Sequence, residues 1–336
     1  MVGLFNYIGS NYHDRCEQLV RVGLLSQNSA PGTQHLHYVM GIDGGGSTVR
    51  IIIATPQLDI VAEFIGPPVN PSAVGRDESA SRIQAAIRET LQQAGLMPEQ
   101  IAGVGIGVAG AAKHHAWTAE WIRELVAEVL PQATVVPSAD YEIALVGAHG
   151  QRLGVLLLAG TGSLAYGVNA AGESLLVGGS GYLLGDEGSG YWLGLQGLRA
   201  VVRMADGRGR KTLLSKTLMD SLNLARPLEL LTWMYGGEPR VRDVARLAPL
   251  VLDCAAQGDS IARGIVEIGA RELALAVRAV TQQLDLQGSA PAFAGSVLTA
   301  SNPLSILVCD LLGLDAIPMP KYSPVIGAAL LALEAI

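Results

Sequence analysis

The chain has 336 residues, a net charge of −7, 49% hydrophobic residues and only 5% aromatics, so its length favours two domains built on aliphatic cores. The acidic balance, with no basic cluster beyond Arg208-Gly209-Arg210-Lys211, argues against nucleic acid as the main partner. Cys16, Cys254 and Cys309 are too scattered for a disulfide framework or a zinc site, and no apolar run reaches the ~18 residues of a membrane span.

The first 37 residues are polar and mixed, with His13, His35 and His37 and no clear period. They lack the basic start and apolar block of a signal peptide. Met40 stands immediately before the first glycine loop, so translation is expected to start near it, with residues 1–38 an extension outside catalysis. Residues 39–65 predict a strand, the glycine turn Gly41-Ile42-Asp43-Gly44-Gly45-Gly46-Ser47-Thr48, a second strand, and a third over Ile60–Ile65. Pro67-Pro68-Val69-Asn70-Pro71 is a loop. Ile83, Ile87 and Leu91 at helical spacing predict a helix over 77–94, ended by Gly95. Ile101–Val108 reads as a buried strand rich in small residues. Trp117, Trp121, Leu125 and Val129 recur every four residues in a helix that stops at Pro131. A short strand at Val135-Val136 leads through Ser138-Ala139-Asp140 into a helix to about His149.

The pattern then restarts. Val155–Leu158, the second glycine turn Leu158-Ala159-Gly160-Thr161-Gly162-Ser163, Ser163–Val168 and Leu175–Gly179 predict another three-strand meander. Helices follow over Tyr191–Ala205 and through much of 211–235 and 240–285. Ala292–Gly295 predicts a strand, 300–313 a helix, Leu314–Met319 a strand, and 324–335 a last helix. A β-β-β-α-β-α unit occurring twice is a duplication at the level of fold.

Forty-one glycines exceed the usual share of about 7%, and they concentrate in loops that also carry hydroxyls. Glycine lets the backbone approach an anion and aim N–H groups at it. Two such loops about a hundred residues apart predict two clamps on one polyphosphate. The first is not a Walker A loop, because no Lys follows its glycines. Gly105-Ile106-Gly107-Val108-Ala109-Gly110 is a literal G-x-G-x-x-G, but its glycines begin inside a strand, so close packing against a neighbour is the better reading. Asp43, among glycines and hydroxyls at a strand end, suits hydrated Mg²⁺. Asp140 reads as an N-cap at the carboxyl end of a strand, where a carboxylate can also take the proton of an attacking hydroxyl. In Gly178–Gly190, the adjacent Asp186 and Glu187 repel each other and want donors, a metal or sugar hydroxyls. Gly295-Ser296-Val297 ends a strand and suits the floor of an adenosine pocket.

The loop Asp43-Gly44-Gly45-Gly46-Ser47-Thr48, the loop Ala159-Gly160-Thr161-Gly162-Ser163, the block Gly185-Asp186-Glu187-Gly188-Ser189-Gly190 and the closing Gly327-Ala328-Ala329 resemble the N-acetylglucosamine kinase branch of the BadF/BadG/BcrA/BcrD-type ATPases. That group lies in the sugar kinase, heat-shock chaperone and actin superfamily, and the resemblance covers about residues 39–336. It implies an α/β fold with two ribonuclease-H-like (actin-like ATPase) domains around a nucleotide cleft. Residues 39–145, joined by the C-terminal helix 324–336, would form the sugar and phosphate side, and residues 146–323 the nucleotide side. The resemblance further implies Asp140 as catalytic base, Asn70, Asp140, Gly179 and Asp186 as sugar contacts, and Asp43 at the metal. Gly45, Gly46, Ser47, Thr48, Thr161, Gly162, Gly295 and Ser296 would bind ATP. Two positions depart from the family pattern. Ala139 stands where Asn often precedes the catalytic Asp, and Gly179-Ser180-Gly181 stands where Gly-Gly-Trp-Gly is frequent, which reshapes the sugar pocket.

The expected function is ATP- and Mg²⁺-dependent phosphorylation of the 6-hydroxyl of an amino sugar, N-acetylglucosamine or glucosamine, in the cytoplasm, with no nucleic-acid or membrane partner. Dimers are common among such kinases. Two alternatives stay open: a BadF-type ATPase activator of a partner enzyme, whose relatives hold an iron–sulfur cluster across a dimer, and a non-enzymatic sugar or nucleotide sensor.

Overall fold

The computed structural model describes residues 37–45, 48–109, 116–237 and 240–336. The expected extension through Leu36, the loop residues Gly46 and Ser47, and the stretch Gly110–His115 lie outside the described residues.

β1 (Tyr38–Gly44), β2 (Val49–Ala54) and β3 (Ile60–Gly66) form the first antiparallel meander. α1 (Pro71–Val74) and α2 (Arg76–Ala94) follow. β4 (Ile101–Val108), α3 (Ala116–Ala127) and β5 (Thr134–Ala139) complete the lobe, with β4 and β5 parallel to β1 in the order β3-β2-β1-β4-β5. Tyr38 and the fully buried Val39 already pair with Ile101 and Ala54. A chain begun at Met40 would therefore lack the first two residues of β1. Gly95 ends α2 in the left-handed conformation, its N–H turned back on the helix, as the sequence predicts.

α4 (Asp140–His149) carries the chain across to the second lobe, so the expected domain boundary after residue 145 falls inside a helix. β6 (Gly154–Ala159), β7 (Ser163–Val168) and β8 (Ser174–Gly178) form the second meander, and β9 (Ala292–Ala294) adds parallel to β6, in the order β8-β7-β6-β9. Between β8 and β9 come α5 (Gly190–Ala205), α6 (Leu213–Ser221), α7 (Glu229–Tyr235), α8 (Val241–Ala245), α9 (Ala248–Ala256) and α10 (Ser260–Gln283). α11 (Pro303–Leu312) and α12 (Pro324–Glu334) close the chain. Each sheet has the meander-plus-parallel-strand plan of a ribonuclease-H-like domain. The second stops one strand short, because the strand expected at Leu314–Met319 does not form. Pro318 and Pro320 lack the N–H groups a ladder needs, and the segment reaches β9 through one backbone bond, from Phe293 N–H to Pro318 O at 3.1 Å.

Alternation along β1 and β4 sorts the first lobe. Met40, Ile42, Val104, Ile106 and Val108 turn to one face and pack with Ile83 and Ile87 of α2 and Ile122 and Leu125 of α3. The opposite face carries Gly41, Gly103, Gly105, Gly107 and, at the strand end, Asp43. α12 lies on this glycine face. A Cβ on Gly105 would sit 1.8 Å from the Ala328 carbonyl oxygen, and one on Gly41 2.1 Å from that of Val325. Gly327 lets α12 meet α4 as closely, 2.0 Å from the Ile143 carbonyl oxygen by the same measure. The G-x-G-x-x-G run is thus a seat for a helix, as its position inside a strand predicts.

Gly105→Ala is expected to destabilise the protein by about 3 kcal/mol or more, because the obstacle is backbone. Gly264→Ala, in α10 with open space around the new methyl group, is expected to gain up to about 1 kcal/mol. Chemical denaturation of both variants checks the pair, and equal effects would contradict the packing described.

Candidate active site

β1, β4 and β5 run parallel and end at one edge of the sheet, where α/β folds hold ligands. In register, Asp43 faces Gly107, and Val108 faces Ala139. Asp140 follows at once as the first residue of α4. The N-cap is Ala139, which offers no side-chain cap, so the cap role expected for Asp140 is corrected. Its carboxylate accepts instead from the adjacent Tyr141 N–H, at 2.9 Å. Asp43 and Asp140 therefore sit at neighbouring strand ends. Burial first, then the charge of Asp140, pushes the Asp43 carboxyl up to about 6 against the pull of Arg50. Burial likewise raises Asp140, opposed by the Tyr141 N–H bond. Gly45 and the exposed Thr48 close the adjoining hairpin. A Cβ on Gly45 would lie 3.0 Å from the Thr48 carbonyl oxygen.

Behind Asp140 lies a network that sequence reasoning missed. Ser138 Oγ donates to the buried Glu142 at 2.6 Å, and Arg152 pairs with the other oxygen of the same carboxylate. The Ser138 and Glu142 spacing, bracketing Asp140, was the available signal. These bonds fix the first turn of α4 and so hold Asp140 in place.

The second glycine loop is built from backbone bonds. Gly160 N–H donates to Gly162 O at 2.9 Å, while the Gly160 and Thr161 carbonyls accept from Gly190 and Tyr191 at the start of α5, at 2.7 and 3.3 Å. Ser163 gathers the Asp-Glu block. Its N–H donates to Asp186 Oδ1 at 3.2 Å, its Oγ to Glu187 O at 2.8 Å, and its carbonyl accepts from Gly179 N–H at 3.0 Å. Asp186 lies against Gly162, holds a φ of 59°, and has its carboxyl raised by burial, with Ser163 N–H pulling the other way and Glu187 adding to the rise. Gly295, at φ 85°, is so close to Ala159 that a Cβ would meet that carbonyl oxygen at 2.2 Å, and Val297 N–H bonds the same carbonyl at 3.1 Å. Thr161, Gly162, Gly179, Asp186, Gly295 and Ser296 are thereby brought into one cluster. Asp186, expected to face the sugar, touches the expected phosphate loop as well.

Asn70 stands apart from that cluster, on the first lobe. Its carbonyl oxygen caps α1 by accepting from Ser72 N–H at 2.9 Å, a structural task the sequence reading did not assign. Val69 beside it packs onto Gly44, 3.0 Å from where a Cβ would be, which places Asn70 near the end of β1. Cys254 and Cys309 are buried in the second-lobe core, not displayed on a surface where two subunits could share a cluster.

The residues present fit a divalent cation. Asp43 and Asp140 raise the local negative charge in a buried setting that a cation would relieve. Among the described residues no group of three or more metal-ligating side chains occurs. A cation here would take its other ligands from phosphate and water, which is the habit of Mg²⁺.

The raised Asp43 carboxyl has a sign. Its folded form holds a proton more tightly than its unfolded form, so the contribution to stability is complete below about pH 4 and lost as pH rises through about 6. In chelator, Asp43→Asn is expected to melt higher than the parent at pH 8, by roughly 1–3 kcal/mol, with the gap closing towards pH 4. Thermal melts across that range check it, and a gap of opposite sign would refute the burial described.

The chain matches the model of the BadF/BadG/BcrA/BcrD ATPase family over residues 40–332. It is 32% identical over 271 residues to an N-acetylmuramic acid/N-acetylglucosamine kinase of Clostridium acetobutylicum, covering 80% of this chain and 88% of that one. It is 29% identical over 316 residues to an N-acetyl-D-glucosamine kinase of Dictyostelium discoideum, covering 88% and 97%. A solved structure from Chromobacterium violaceum, provisionally named an N-acetylglucosamine kinase, superposes with a TM-score of 0.71 at 27% identity, over 88% of this chain and 99% of that one. With both sheets and both glycine loops inside the matched span, the chain belongs to the BadF/BadG/BcrA/BcrD ATPase family.

Proposed function

We propose that the protein transfers the γ-phosphoryl group of ATP to the 6-hydroxyl of an amino sugar, N-acetylglucosamine or glucosamine. One observation carries the reading: two mutually raised carboxylates, Asp43 and Asp140, stand at adjacent strand ends of the first lobe, while the second lobe holds a glycine loop braced by its own backbone. The kinase names of the relatives support it.

In this reading Asp140 is the catalytic base. Its raised affinity for protons suits a group that must accept one near neutral pH. As the sugar oxygen bonds to the γ-phosphorus, its proton passes to the Asp140 carboxylate, the bond to the bridging oxygen breaks, and ADP leaves. Gly45, Gly46, Ser47 and Thr48 on one side and Thr161 and Gly162 on the other hold the phosphates. Gly295 and Ser296 support the adenosine. Asn70, through its amide group, with Gly179 and Asp186, orients the sugar. When bound, Mg²⁺ neutralises charge on the β- and γ-phosphates, and Asp43 is the residue that would hold it. Most of the acceleration then comes from positioning and charge stabilisation. The working division is 39–145 with 324–336 against 146–323, and the free thiols of Cys254 and Cys309 suit a reducing cytoplasm.

Asp140→Asn is expected to lower sugar-stimulated ADP release by about 10²–10⁴-fold and to leave ATP affinity within a few-fold. Steady-state turnover on N-acetylglucosamine beside a nucleotide-binding titration checks this, and normal turnover in the variant removes Asp140 from its role.

A further inference from the structure

A cavity of about 520 Å³ lies between the two lobes. Pro68, Ala73 and Val74 form one wall, beside Asn70. Arg240, Arg242 and Arg246, with Asp243 among them, form the other. Each wall is tied to one glycine loop. Val69 packs on Gly44 at the end of β1. On the other side, the α8 residue Ala245 has its carbonyl oxygen 3.2 Å from where a Cβ on Gly190 would stand, and Gly190 N–H donates to Gly160 O at 2.7 Å. A Cβ on Gly194 would meet the Val244 carbonyl oxygen at 2.1 Å, so α8 is seated firmly on α5. The cavity therefore opens in the cleft between the loops.

Its charge is lopsided. Arg240 and Arg246 both donate to the one carboxylate of Asp243, at 3.4 and 3.2 Å, and Arg242 adds a third guanidinium. Three positive groups against one negative is a basic wall in a chain of net charge −7. Arg240 also stands 5.2 Å over the Trp233 ring, which steadies its planar fork. The facing wall is apolar and small. An apolar wall opposite arginine forks matches a carboxylate on a short alkyl arm, which guanidinium groups grip through paired hydrogen bonds. A phosphate chain would instead want backbone N–H groups, which the glycine loops supply.

We propose that this cavity receives a carboxylate-bearing substituent of the acceptor, so that the protein phosphorylates acidic amino sugars carrying a carboxyalkyl group on the ring as well as neutral ones. The inference rests on the kinase reading and on Asn70 marking the acceptor side.

Competition kinetics on the full-length protein test it, with N-acetylglucosamine and N-acetylmuramic acid as the neutral and the carboxylated probe. The parent is expected to phosphorylate both, with KM for the acid rising with ionic strength. Arg246→Gln and Arg242→Gln, both at exposed side chains, are each expected to lower the acid-to-neutral ratio of kcat/KM by about tenfold, the loss of one charge-assisted hydrogen bond, with Arg246→Lys keeping part of it. Turnover of the neutral sugar alone overturns the cavity assignment and leaves the kinase reading standing. An unchanged ratio with a raised KM for ATP assigns the arginines to the nucleotide and also overturns it. Turnover of neither sugar removes both readings.

Discussion

The arrangement depends on one close approach, that of α12 to the glycine face of β1 and β4. Backbone meets backbone there, with no room for a single methyl group at Gly41 or Gly105. Contact at that range gains dispersion along the whole helix and tolerates no variation in angle. α12 fixes α4 in turn, through Gly327 against Ile143 and Gly147, and α4 fixes Asp140. The position of the proposed base is thus inherited from a row of absent side chains. Since α4 also packs against Leu156 and Tyr166 of the second sheet, the same contact sets where one lobe meets the other.

The two lobes treat polar groups in opposite ways. The first keeps Asp43 and Asp140 buried near each other, at a cost to the empty protein. The second spends its polar groups internally. Ser163 satisfies Asp186, Glu187 and Gly179, and Gly160 ties the loop to α5. One side holds unbalanced charge that a ligand relieves, and the other holds a preformed scaffold. Strain kept at a site and offset by packing elsewhere is common where binding must do chemical work.

Much of the fold was legible because its signals are local. The apolar alternation of β1, the spacing of Ile83, Ile87 and Leu91, and the terminator Gly95 each act within a few residues. The segment Leu314–Met319 misled because its hydropathy suits a strand while its prolines forbid the ladder. Asp140 was found, but its place as first helical residue was not, since a cap and a first turn differ by one position. The clustering of Gly162, Asp186 and Gly295 could be expected only from resemblance, because bonds between residues so far apart in sequence leave no periodic trace. Nor could spacing show that Asn70 caps α1 or that Glu142 joins Ser138 to Arg152.

The order of synthesis gives the α12 contact another meaning. β1 and β4 leave the ribosome early, and the helix that covers their glycine face leaves last, after nearly all of the second lobe. During that interval the nascent first lobe shows a bare stripe of backbone and the fully buried Val39 and Ile52, which later pack with Val325 and Ala329. The lobe made first is therefore finished last. A chaperone that shields this stripe would act on translation intermediates and have no foothold on the completed protein.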